Sequence, residues 1–388
     1  MNDPDAYKII IVGAGPTGLS TALHLARRLP SLTKEILILE AAEHPRPKLC
    51  GGGVTFHGEE QLHRLGLQID VPAFTINRLL FRLGGLDFTV PFPHAMRIIE
   101  RRLFDAAIAE AVTAVGLKVH SNEKLLDMQP VPGGMQLQTN RGHYRAQIVV
   151  GADGANSMVR RRLHITGQPG VARLLRVLTP IVPEENEGWQ AQTAVFDFSC
   201  IQHGIQGYSW DFPCLIEGKP FMNRGMFDSR VTPEQPRGNL KQVFFAQLAN
   251  QHVNLEHVQL EGHPVRWFHP QATFARPHVL LAGDAAGVDP LFAEGISYGM
   301  EYGAIVARQI EDAFARNDFR FQNYKAMLQK DRLGRLLKRR AFIARHLFSY
   351  HWPQMVAFIW RLATVAPLKI QHAFGSFLGL LPPYRTAV

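Results

Sequence analysis

Between residues 7 and 40 the chain spells out strand, glycine turn, helix, strand and acid in an order that few folds accommodate. Tyr7-Lys-Ile-Ile-Ile-Val12 is a short apolar, β-branched run, the pattern of a buried parallel strand. Gly13-Ala-Gly15-Pro16-Thr-Gly18 follows as a GxGxxG. Residues 19–29 then read as an amphipathic helix that ends before Pro30, and a second strand over 35–39 closes on Glu40. The three glycines do different things. Gly13 permits the tight turn, Gly15 lets a pyrophosphate approach the backbone, and Gly18 lets helix and strand pack closely. The helix N-terminus, with Pro16 in the turn beside it, offers free N–H groups and partial positive charge to an anion. Glu40 lies about 20 residues beyond Gly18, where an acid can accept both ribose hydroxyls of an adenosine. This order predicts a dinucleotide site and does not distinguish NAD from FAD.

At 388 residues the chain is long enough for two domains. With 46% hydrophobic and 19% charged residues it is globular, without repeats or low-complexity tracts. Cys50, Cys200 and Cys214 are far apart and form no CxxC pair, so no metal site and no disulfide framework are expected, and reduced thiols fit a cytoplasmic location. No signal-peptide pattern opens the chain, and no uncharged apolar run reaches the roughly 18–20 residues of a membrane span. The net charge of +9 comes without a nucleic-acid-binding motif, so nucleic acid is not an expected partner. Much of the excess falls in residues 330–345, where Leu333, Leu337, Ala341 and Ala344 keep helical spacing around Gly334. Two readings of that stretch stay open: a basic helix giving peripheral contact with anionic lipid, and a solvated helix covering the domain.

Two further glycine clusters each follow a strand. Residues 144–150 run into Gly151-Ala-Asp153-Gly154, and residues 279–282 run into Gly283-Asp284-Ala-Ala-Gly287, which continues through Pro290 to Ala293-Glu294-Gly295-Ile296 and a small-residue helix. With the first motif, these resemble the aromatic-hydroxylase-like (PHBH-fold) superfamily of FAD proteins, over about the first 310 residues. The resemblance implies FAD as cofactor. In it Asp284 binds the ribityl or pyrophosphate region, and Asp153 supports the dinucleotide channel. The helix starting at Gly295-Ile296 aims its N-terminus at the pyrimidine edge of the flavin, where reduction places negative charge. Arg101-Arg-Leu-Phe-Asp105 resembles the family's RxxFD, so Arg101 is expected to reach the phosphates or the flavin. Leu125 falls where a backbone contact to adenine is usual. No second GxGxxG is present, so an electron donor, NAD(P)H or a ferredoxin, is expected to bind only transiently.

Pro47-Lys48-Leu-Cys50-Gly51-Gly52-Gly53 and Tyr208-Ser-Trp210-Asp-Phe212-Pro213 resemble the loop and the YxWxFP segment of the geranylgeranyl reductase branch. Consecutive glycines let a flat ring approach the backbone. Tyr208, Trp210 and Phe212 alternate as on one strand face and offer aromatic walls to an apolar ligand, although strand aromatics are usually plain core. The branch places the glycine loop, with Lys48, Gly51 and Gly52, beside the isoalloxazine, and Cys50 and the aromatic motif along the cavity for an isoprenoid chain; Cys50, Tyr208 and Trp210 are the candidate catalytic residues, with Cys50, Tyr208 or a water as the proton source. Ala293 departs from the branch, which has glycine there.

The expected architecture is α/β. A Rossmann-like FAD domain (1–75, 97–165 and 276–330) is interleaved with a β-sheet substrate domain (76–96 and 166–275). A helical tail (331–388) is rich in aromatics such as Phe342, Trp352 and Phe377, and three roles stay open for it: closing the cavity, making a dimer contact or docking on a membrane. Oligomeric state is not legible. The expected function is reduction of carbon–carbon double bonds in a small apolar or lipid-like, prenyl-type substrate. The alternative is a monooxygenase or halogenase-like oxygenase acting through a C4a-peroxyflavin on an aromatic or peptidyl substrate.

Overall fold

The computed structural model describes residues 5–165, 170–348 and 353–382, so Trp352 lies outside the described residues. Two eight-stranded sheets organise the chain. In the first, Asp5–Val12 lies between Ile36–Leu39 and His143–Gly151, parallel to both, so the order reverses at that strand. Lys118–His120 continues one side and Val279–Leu281 the other, also in parallel. This is the doubly wound pattern, in which ligands bind at the carboxyl ends of the strands beside the reversal. The four residues of Ile36–Leu39 are buried on both faces, which explains their uninterrupted apolar run.

The helix Pro16–Arg28 follows the first glycine turn and packs against Ile296–Arg316 at very short range. A Cβ at Gly303 would sit 2.6 Å from Ser20 Oγ, and Ser20 Oγ donates to the Met300 carbonyl at 2.7 Å. The small residues of the late helix are therefore a packing requirement of this crossing.

The second sheet runs in the order Glu261–Arg266, Val171–Pro180, Lys219–Asp228, Gly207–Ile216, Thr193–Asp197, Ala73–Leu83, Leu86–Ile99 and Gly53–Thr55. Gly53–Thr55, from the segment 1–75, thus pairs with the second sheet, antiparallel to Leu86–Ile99. That pairing carries the glycine loop from the first sheet to the second. A smaller apolar cluster, including Val177, Met226, Phe244 and Leu248, sits where the helix Leu240–Asn250 packs on this sheet.

The C-terminal region is helical: Arg332–Leu347, Pro353–Val365 and Leu368–Leu378. Gly334 does not weaken the first of these. A Cβ there would meet the Leu328 carbonyl oxygen at 1.9 Å, so the glycine allows the preceding helix, Tyr324–Lys330, to lie against it. No helix among the described residues is long and apolar enough to cross a membrane.

A two-chambered cleft as the candidate active site

One cavity of about 600 Å³ runs from the glycine turns of the first sheet to the aromatic face of the second. Its outer half is built from backbone. Gly13 has φ +104°, donates to the Leu39 carbonyl at 2.7 Å, and would place a Cβ 2.5 Å from the Ala152 oxygen. A Cβ at Gly18 would come within 1.9 Å of the Gly13 oxygen. At Gly15, by contrast, the nearest atom to an added Cβ is Arg46 Nη2 at 3.9 Å, so its face of the cleft is open. Pro16 occupies the first helical turn beside it. The Glu40 carboxylate is held by the Ala14 amide at 2.8 Å and the Ala42 amide at 3.1 Å, at the end of its strand. Asp153 accepts from the amides of Met158 (2.6 Å) and Val159 (3.1 Å), so it secures the start of the helix Met158–Arg162 while lining the cleft. Leu125 opens a strand at the same rim.

Asp284, Gly295 and Ile296 line the cleft from the other side, with Ile296 the first residue of its helix. Burial pushes the Asp284 carboxyl up, against the pull of Lys48, Arg101 and Arg266. Arg101 lines the cleft, but Asp105 grips its guanidinium at both ends, at 2.7 and 2.8 Å. Burial works against that charge, and the Asp105 carboxylate more than restores it. An open backbone cradle at Gly15, an anchored acid at Glu40 and a carboxyl at Asp284 together fit a flavin dinucleotide.

Arg46 carries no sequence signal, yet it bridges Glu40 (3.2 Å) and Asp105 (3.5 Å) and lines the cleft. His263 is a second such residue: its Nε2 lies 2.6 Å from Lys48 Nζ. Burial, with Lys48 and Arg101, pulls His263 down to about 4, so a neutral imidazole accepts from the Lys48 ammonium. Burial also lowers Lys48, with Asp284 opposing.

The glycine loop joins the two halves. Gly52 has φ +78°, and a Cβ there would meet the Ile99 oxygen at 2.5 Å. A Cβ at Gly51 would touch Phe212 at 3.5 Å and Trp210 Nε1 at 3.6 Å. The Cys50 carbonyl accepts from Asn223 Nδ2 (3.0 Å) and Arg176 Nη1 (3.1 Å), while Asn223 Oδ1 accepts from Trp210 Nε1 at 3.0 Å. Trp210 itself lies over Gly225, where a Cβ would be 2.1 Å from its ring. Tyr208, Trp210 and Phe212 all line the inner chamber with Phe196 and Phe292. The Tyr208 hydroxyl donates to the Phe292 carbonyl at 2.7 Å, and burial raises it well above its ordinary 10.0.

The loop after Asp284 rests on buried charge. Asp289 accepts from the Leu291 and Phe292 amides at 2.9 and 3.1 Å and pairs with Arg340, which is fully buried and also reaches Glu294 at 3.1 Å. Thr55 donates to Glu294 from the strand after the glycine loop. Ala293 has φ +56°, the left-handed region that glycine fills without strain. The substitution that separates this chain from the branch pattern therefore costs backbone energy.

Comparison with known proteins agrees with this geometry. The family described as "FAD binding domain" matches residues 6–312. A menaquinone reductase of Mycolicibacterium smegmatis is 27% identical over 77% of this chain and 75% of its own length. Digeranylgeranylglycerophospholipid reductase 1 of Methanothermobacter thermautotrophicus is 25% identical over 86% of each. Among solved structures, a geranylgeranyl bacteriochlorophyll reductase-like protein from Thermoplasma acidophilum superposes with TM-score 0.78 at 20% identity, covering 94% of this chain and 93% of that one. A flavin-dependent brominase gives TM-score 0.71 at 17% identity, covering 97% and 94%. Both of these last likenesses are of fold.

Proposed function

The chain belongs to the FAD-binding-domain family, and from that premise we propose that it reduces carbon–carbon double bonds of an apolar, prenyl-type substrate. One observation carries the reading: the glycine loop that faces the flavin half of the cleft is also the floor of an aromatic chamber with an apolar wall. The reductase relatives support it. Bound and reduced, the flavin supplies a hydride. The chain positions the acceptor: Phe196, Tyr208, Trp210 and Phe212 wall an elongated apolar ligand and exclude water. Asn223 and Arg176, on the Cys50 carbonyl, keep the loop from shifting under it. The Trp210 N–H and the Tyr208 O–H are committed to Asn223 and Phe292, so these two side chains orient rather than donate. The second carbon needs a proton, and Cys50, which is not fully buried, is the side chain at the loop that can deliver it, directly or through a water.

The test is anaerobic. Reduced, FAD-loaded protein is mixed with a polyprenyl lipid, and the lipid is weighed by mass spectrometry. A gain of two hydrogens per reduced bond, with flavin reoxidation, is expected. Absence of that gain, with labelled oxygen entering an aromatic substrate in air, would establish the oxygenase alternative, which the brominase-like fold also accommodates.

A further inference from the structure

Residues 332–388 contain nine Lys and Arg and no Asp or Glu, so the remaining 33 basic and 33 acidic side chains of the chain cancel. The whole net charge of +9 resides in this tail. Its apolar exposure is as lopsided. On the helix Pro353–Val365, Phe358, Leu362 and Val365 form one stripe at helical spacing, with Val365 80% exposed. On Leu368–Leu378, Leu368, Ile370 and Phe377 are each more than half exposed. Arg361 and Lys369 stand exposed among them.

These helices are nonetheless firmly seated. Trp360 is buried and donates Nε1 to the Leu86 carbonyl at 3.0 Å, and the Leu378 carbonyl accepts from Arg340 Nε at 2.8 Å. Leu380, just beyond, lines the cavity. The outer apolar face is thus held in place on the wall of the site.

We infer that this face is a docking surface for an anionic lipid bilayer, with the two apolar helices lying in its interface and their exposed cations, Arg361 and Lys369, against its headgroups. At about 1.5 Å per residue both helices fall well short of the roughly 30 Å hydrocarbon core, so they lie in the surface rather than span it. Charge selects the occupant. A second copy of the chain would bring an equally cationic tail against this one and repel it, whereas an anionic leaflet is complementary. The basic helix Arg332–Leu347 plays a different part from the one its composition suggests: it turns Leu333, Leu337, Arg340 and Ala344 inward and leaves insertion to the helices after it. Docked this way, the tail places the cavity wall at Leu380 beside the membrane. That relevance rests on the proposed lipid-like substrate; the binding does not.

The test floats full-length, FAD-loaded protein with vesicles, without substrate or turnover. Failure to bind therefore leaves the reductase reading standing, and failure to reduce an alkene leaves docking standing. Phosphatidylcholine vesicles carrying about one-third phosphatidylglycerol should bind the protein, pure phosphatidylcholine far less, and raised ionic strength should weaken binding. Leu362→Glu with Val365→Glu should lower binding about ten-fold or more, with FAD content and melting unchanged. Phe377→Asp is the independent variant should the first fail to fold, and Arg361→Glu with Lys369→Glu should abolish the preference for anionic lipid. Equal binding by parent and variants, no binding by the parent, or a dimer in light scattering that these substitutions dissociate would each overturn the inference.

Discussion

At Gly18 an added methyl would meet the Gly13 carbonyl oxygen at 1.9 Å, whereas on the helix Pro353–Val365 the side chains of Leu362 and Val365 are more than half exposed. The glycine turn lines the cavity with Gly13, Gly15 and Pro16, and the tail reaches it only at Leu380, beyond its last helix. The glycine turns are specified by backbone: one carbonyl, one amide and the absence of a Cβ set their shape within tenths of an ångström. The tail is specified by side chains: it is held by Trp360, by leucines and by one buried cation, Arg340. Backbone rules are local and leave a short motif. Side-chain rules depend on partners far along the chain and leave only composition.

The contrast is most sharply at stake in the first turn. Gly13→Val combines φ +104° with a clash on Ala152, so FAD should be lost altogether, or the protein should fail to fold; a yellow, fully loaded variant would show the turn to be plastic. Next is the tail's anchor. Arg340→Met strands Asp289 and Glu294 as buried, unpaired carboxylates and should cost about 3–5 kcal/mol in denaturant unfolding, part of it recovered by adding Glu294→Gln. A loss under about 1 kcal/mol would place this pair with ordinary surface pairs.

Acid should act on both regions together. Burial lowers His24 to about 4, His57 to about 3 and His263 to about 4, in each case with nearby cations adding to the effect. The native state keeps these imidazoles neutral, while an unfolded chain protonates them below about 6.5. Their contribution is complete above that pH and is lost as pH falls from about 6.5 toward 3–4. Melting temperature should fall over that window, and His57→Gln should flatten the slope. The smallest effect is at Ala293: replacing it with glycine relieves φ +56° and should stabilise by about 0.5–1 kcal/mol, measured by thermal unfolding.

Much of the cleft was legible because its residues sit within short motifs. Gly13, Gly15, Gly18 and Glu40 follow from one strand–turn–helix–strand unit, and Tyr208, Trp210 and Phe212 from period-2 alternation on one strand. Arg46 was not legible, since it lies in an irregular segment with no periodicity to mark it. Nor were Asn223 and His263, which reach the glycine loop from strands 173 and 215 residues away. The basic helix misled in a different way. Its composition suggests a solvated or lipid-facing surface, yet Arg340 is its most buried charged side chain, because two carboxylates from the flavin motif meet it inside.

The dinucleotide fold, the order of its three motifs and the glycine loop that lines the cleft are all written in the sequence alone, because each rests on backbone geometry encoded by neighbours. Which side chains brace that loop, which arginine goes inside and which face of the tail is left apolar are settled only when the chain is folded. Those outcomes depend on pairings between distant segments, and burial and charge compensation exist only once the segments meet.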